Sequence, residues 1–161
     1  QVFSYPAVLF QDKAYVGGKC IGNTGGNVVD FIYQNHLTKN IALVEIKTPL
    51  QRLLGSAYRG SNQKSQAYSI SSELAGATSQ ILNYKDTLQK DFYKLVSEEK
   101  DGYLFDPKGI LIIGSLEAEN FDKNQMKSFE LFRSNSKDIE VITFDELFGK
   151  IELLLELLDK K

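Results

Sequence analysis

The chain has 161 residues, 42% of them hydrophobic and 25% charged, with 12 Gly and 3 Pro, a balance that fits one folded domain over residues 1–161 and excludes wholesale disorder and collagen-like repeats. One cysteine, Cys20, excludes an internal disulfide, and with one histidine, His36, no four-ligand Cys/His zinc site can form, so any metal must be held by oxygen. The net charge of −2 argues weakly against a protein that coats nucleic acid, but it conceals balances of 0 over residues 1–46, +4 over 47–94 and −6 over 95–161.

In chain order the sequence predicts three strands first, over residues 14–21, 28–33 and 41–46. Asn23-Thr24-Gly25-Gly26-Asn27 makes the first turn and residues 34–40 the second, giving a β-meander. Thr48-Pro49 ends the third strand, because proline lacks an N–H and restricts the residue before it. Residues 50–70 have no clear period and are expected as a long loop. Ser71 or Ser72 then caps a helix to about Val96, with Leu74, Ala77, Ile81, Leu88 and Phe92 on its apolar side. Residues 106–109 read as a turn before a buried strand at 110–114, followed by a helix over about 119–132 and a strand at 139–142. Thr143-Phe144-Asp145-Glu146 is a capping box that starts a last helix ending near Asp159. The order βββαβαβα predicts a mixed sheet with helices packed on it, in the α/β or α+β class.

Two of the strands carry charges where apolar residues belong. Asp30 interrupts Val28-Val29-Asp30-Phe31-Ile32, and burying a lone carboxylate is expensive. Glu45 and Lys47, two apart on the third strand, point to one face while Val44 and Ile46 point to the other. If the two strands pair as a hairpin, Asp30 lies opposite or diagonal to Glu45 at a Cβ separation of about 5–8 Å. Adjacent carboxylates repel unless a cation intervenes, and hard oxygen ligands suit Mg²⁺ or Mn²⁺. Such an ion polarises a phosphoryl oxygen, while a lysine orients water and offsets charge on the phosphate: the chemistry of phosphodiester hydrolysis. A cross-strand ion pair of Asp30 or Glu45 with Lys47 is the plainer alternative.

On the predicted helix, Gln80 and Tyr84 are four residues apart on one face, and Glu73 lies seven residues before Gln80 near the same stripe. A glutamine amide can hold a water or a phosphate, and a tyrosine can donate to a phosphate or stack on a base. Singly, each is equally an ordinary helix residue. His36 reads as an exposed turn residue and Cys20 as a small buried one.

Together, Asp30, Glu45-Ile46-Lys47 and Gln80-Ile81-Leu82-Asn83-Tyr84 resemble the D...(D/E)xK...QxxxY pattern of the PD-(D/E)xK nuclease superfamily, in particular its RecB-like branch. A wider resemblance rests on Gly26-Asn27-Val28-Val29-Asp30-Phe31, Leu43-Val44-Glu45-Ile46-Lys47-Thr48-Pro49, Ser72-Glu73-Leu74, Gln80 through Lys85, Ile112-Ile113-Gly114-Ser115 and Ile142-Thr143-Phe144-Asp145-Glu146-Leu147. These stretches are similar to the C-terminal nuclease domain of Shedu-type antiphage defence proteins. The resemblance implies a restriction-endonuclease-like α/β core, a mixed β-sheet flanked by helices, acting as a metal-dependent DNA endonuclease against invading DNA. It also implies a sensing region ahead of the nuclease and assembly into a homo-oligomer. In that reading Asp30 and Glu45 bind Mg²⁺ (or Mn²⁺) with the backbone carbonyl of Ile46, Lys47 orients the attacking water, and Gln80 positions water or phosphate. Tyr84, Arg59 and Lys85 contact the DNA backbone. Related nucleases often add an acidic or polar residue from a helix before the first strand, and this sequence begins too near that strand to include it.

Two alternatives stand beside the nuclease: a nuclease-like domain that binds nucleic acid or protein without cutting, and an oligomerisation module. The last helix motivates the second. It places Leu147, Ile151, Leu154 and Leu158 on one stripe and Leu153 and Leu157 on other sides, more leucine than one buried face needs. No apolar run approaches the roughly 20 residues of a membrane span. The chain opens on Gln1 without a signal-peptide pattern, so it is expected to be a fragment of a longer cytoplasmic protein.

Overall fold

A computed structural model describes residues 7–17, 25–35, 37–60, 66–95 and 103–159. His36, residues 18–21 of the first expected strand, Cys20 among them, and Asn23-Thr24 of the first expected turn lie outside them. The elements run β1 (Ala7–Gly17), β2 (Asn27–Asn35), β3 (Asn40–Ile46), β4 (Leu54–Arg59), β5 (Ala67–Ile70), α1 (Ser72–Leu95), β6 (Tyr103–Ile112), α2 (Leu116–Glu119), α3 (Lys123–Asn135), β7 (Ile139–Ile142) and α4 (Phe144–Asp159). The fold is mixed α/β, with a five-stranded sheet in the order β1-β2-β3-β6-β7, flanked by helices, and a two-stranded sheet β4-β5. β1, β2 and β3 form the expected antiparallel meander. β6 runs parallel to β3: Tyr103 N–H donates to Lys39 O at one end and Lys47 N–H to Ile112 O at the other, which makes the sheet mixed.

The chain divides into two compact units, Gln1–Ile46 with Thr78–Leu111, and Lys47–Ala77 with Ile112–Lys161. In the first, β3 is interior: Ile41 and Leu43 on one face and Val44 on the other are all buried, the pattern of a strand covered on both sides. Val29 and Ile32 do the same for β2. Each such side chain contributes about 1.5–3 kcal/mol by leaving water. Ile81, Leu88 and Phe92 of α1 are buried too. Asn27 Nδ2 donates to Thr87 Oγ1 at 3.2 Å and Lys85 Nζ to Asp106 Oδ1 at 2.8 Å, so this helix meets β2 and β6.

In the second unit, Ser71 caps α1: its hydroxyl accepts from Leu74 N–H at 3.0 Å and donates to Arg52 O, satisfying one of the helix's orphan amides. Asp122 and Gln125 form a full capping box at the start of α3. α4 begins where the sequence predicts, with Glu146 accepting from Thr143 N–H at 3.1 Å and Thr143 Oγ1 at 2.9 Å. Among the described residues no helix is long and apolar enough to cross a membrane.

Four expectations need correction. The first strand begins before residue 14, reaching back through Asp12-Lys13 to Ala7. Of residues 50–70, expected as a loop, 54–59 and 67–70 are paired strands: Leu54 pairs with Ile70, Ala57 with Tyr68 and Arg59 with Ala67. Only Leu54 of β4 is buried, so no apolar alternation announces it. Residues 106–109 do not interrupt β6, because Asp106 absorbs the distortion at φ 49°, a region aspartate tolerates, and the strand continues past Pro107. The helix expected over 119–132 is two elements, because Asn120 turns left-handed at φ 48° and Asp122 starts α3 afresh.

Candidate active site

The register of the meander decides where the strand charges fall. Phe31 pairs with Val44 and Ile32 with Leu43, so one further step sets Asp30 opposite Glu45. Residues directly opposite in an antiparallel pair share a face, with Cβ atoms about 4.5–5.5 Å apart. The backbone ladder gives way here to a side chain: Asp30 Oδ2 accepts from Ile46 N–H at 2.9 Å. A strand residue sends its N–H and its C=O to the same neighbour, so the Ile46 carbonyl is directed toward β2 as well. Glu45 is 4% exposed and shares its face with buried Leu43 and Ile41. Lys47 follows Ile46 directly and opens the second unit.

Two carboxylates about 5 Å apart repel by roughly 3 kcal/mol at an effective dielectric near 20. At Asp30 a cation answers this repulsion. Lys13 Nζ forms an ion pair with Asp30 Oδ1, reaching across from β1, where Asp12 pairs with Phe31 and Ala14 with Val29. The sequence does not point to Lys13, because its β pattern starts the first strand at residue 14. The signal available was the charged pair Asp12-Lys13 beside a strand, which has no meaning until the register is known.

On α1, Gln80 Nε2 donates to Tyr84 Oη, so the two residues of the Q-x-x-x-Y spacing touch. Gln80 is half-buried and Tyr84 buried. The Lys85 side chain is only 10% exposed and its ammonium is given to Asp106. Arg59 ends β4 in the second unit, exposed, with its guanidinium 5.7 Å from the centre of the Tyr58 ring. The structure therefore brings Asp30, Ile46 and Lys13 into contact, with Glu45 opposite Asp30 by register, and brings Gln80 and Tyr84 into contact on the same unit.

Residues 3–148 match the family described as Shedu protein SduA, C-terminal. A curated relative, the Shedu protein SduA of Bacillus cereus (strain B4264), is 38% identical over 165 residues that take in 99% of this chain. The chain belongs to the Shedu SduA C-terminal family. It spans 42% of the length of that curated relative.

For this Shedu domain the donor set can be tested against a hard divalent cation. Two carboxylates and one backbone carbonyl, all oxygen, suit Mg²⁺ or Mn²⁺, which take one or two carboxylates and complete the shell with water and phosphate. Among the described residues no group of three or more His, Cys, Asp or Glu is placed to hold a metal ion.

Proposed function

We propose that this domain is a Mg²⁺- or Mn²⁺-dependent endodeoxyribonuclease acting in antiphage defence. The observation that carries the reading is the Asp30 carboxylate seated on the Ile46 amide, with Glu45 opposite it by the register of β2 and β3. Asp30, Glu45 and the Ile46 carbonyl hold the cation, which supplies Lewis-acid polarisation of the scissile phosphate and a more acidic water. Lys47 orients the attacking water through its ammonium and offsets the negative charge that grows on the phosphate oxygens. Gln80, steadied by Tyr84, positions the water or phosphate. Arg59 is the exposed cation for the DNA backbone, whereas Tyr84 and Lys85 of α1 are buried, Lys85 paired with Asp106, and reach that backbone only if α1 shifts to uncover them. The defence role rests on the family and on its resemblance to antiphage nucleases.

Replacing Lys47 with Ala is expected to lower Mg²⁺-dependent plasmid cleavage by about 10²-fold or more, the cost of losing one group that stabilises transition-state charge. Fold and DNA binding stay nearly intact, and EDTA abolishes cleavage by the wild type. Undiminished cleavage by Lys47→Ala contradicts the assignment.

The Lys13–Asp30 ion pair favours a second reading, a nuclease-like domain that binds without cutting and whose acidic residues serve an ionic network. Plasmid left intact with Mg²⁺ and with Mn²⁺ decides for it. Either reading includes assembly into a homo-oligomer, for which α4 offers exposed Phe148, Leu153, Leu155, Leu157 and Leu158.

A further inference from the structure

The Lys13–Asp30 pair has a role in the nuclease reading as well. Of the two partners Asp30 is the less exposed: its Oδ2 is held by the Ile46 amide and its side chain is 18% exposed, against 68% for Lys13. The amide is a neutral donor that stays in place when a cation arrives. That leaves Oδ1 as the oxygen a cation takes, and Oδ1 is the atom that the Lys13 ammonium holds. Lys13 also sits at φ 46°, a conformation that a residue with a side chain keeps only where its surroundings enforce it. An ammonium on a flexible stem that stands mostly in water is a weak, removable partner, whereas a divalent ion gains from both carboxylates at once.

We propose that Lys13 is a displaceable counter-ion: it neutralises Asp30 in the metal-free protein, competes with the divalent cation for Oδ1, and is released toward solvent when that cation binds. The inference rests on the metal site proposed above. It adds a residue outside the D...ExK...QxxxY pattern, on a strand that this pattern does not use, and gives it control of metal affinity. Once released beside the site, the ammonium is available to a DNA phosphate.

The test is isothermal titration of Mn²⁺ into the full chain, in the absence of DNA. Lys13→Gln is expected to tighten Mn²⁺ binding by about two- to fivefold, the equilibrium equivalent of one exposed ion pair. Lys13→Arg, which retains the pair, keeps the wild-type Kd or weakens it. Lys39→Gln removes the same charge at the opposite end of β3 and leaves Kd unchanged. Asp30→Asn abolishes binding. If Asp30→Asn abolishes binding while Lys13→Gln binds Mn²⁺ no more tightly than the wild type, the metal site stands and the counter-ion role is overturned. Equal tightening by Lys39→Gln overturns it too, as a general charge effect. If the wild type binds no Mn²⁺, the metal reading falls and takes the inference with it.

Discussion

The Glu146 carboxylate shows what a single half-buried acid does in this chain. Burial pushes its carboxyl up, but hydrogen bonds from Arg133, at 2.7 Å, and from Thr143 together outweigh burial and hold it below the ordinary glutamate value. Arg133 is in turn raised, chiefly by Glu146. A carboxyl depressed in the folded state contributes stability that is present above its unfolded value, about 4.3, and is lost as pH falls through the folded one. Urea midpoints measured from pH 7 down to pH 3 are therefore expected to fall less steeply below about pH 4.3 for Glu146→Gln than for the wild type. The substitution costs about 1–2 kcal/mol at pH 7. Parallel acid limbs contradict this. At the same scale, Asp30 and Glu45 were legible in the sequence because a carboxylate inside an apolar run demands a partner. Lys13 was not, since an exposed lysine next to a strand looks like any other until a register puts it opposite something.

Elements were legible wherever burial imposed a period. β3, α1 and β7 follow their apolar patterns almost to the residue, and the starts of α1 and α4 follow their capping residues. The β4–β5 hairpin was not, because its cohesion is backbone pairing on an exposed surface, with Tyr68 N–H given to Ser128 Oγ of α3 at 3.1 Å. Gly114, just after β6, is a test of how tightly these elements are joined. It has φ 67°, and an added Cβ would come 2.8 Å from the Gln51 carbonyl oxygen and 2.7 Å from Leu53 Cδ2. Neither the φ nor the backbone oxygen can yield cheaply. Gly114→Ala is expected to destabilise the protein by about 2–4 kcal/mol, seen as a lower midpoint in urea. A midpoint within error of the wild type contradicts the tight approach of residues 51–53.

For the whole molecule, the mixed sheet and its order of helices follow from the meander and the alternation after it, whereas the division into two compact units has no marker in composition. The described part of α4 buries none of its side chains and leaves a run of leucines exposed. Sedimentation of the full chain is expected to show a species larger than a monomer, shifted toward monomer by Leu153→Glu with Leu157→Glu, and a monomer at high concentration contradicts a role for this helix in assembly. The central claim is that Asp30 and Glu45 share one cation on one face of the sheet. A crystal structure of the Mn²⁺-soaked protein tests it most directly through the anomalous signal of the metal. The account predicts a single peak about 2.1 Å from oxygens of both carboxylates, with the Ile46 carbonyl alongside and Lys13 withdrawn from Asp30. A peak elsewhere contradicts it, whereas a peak at this site with Lys13 still on Asp30 upholds the shared cation and overturns only the counter-ion role.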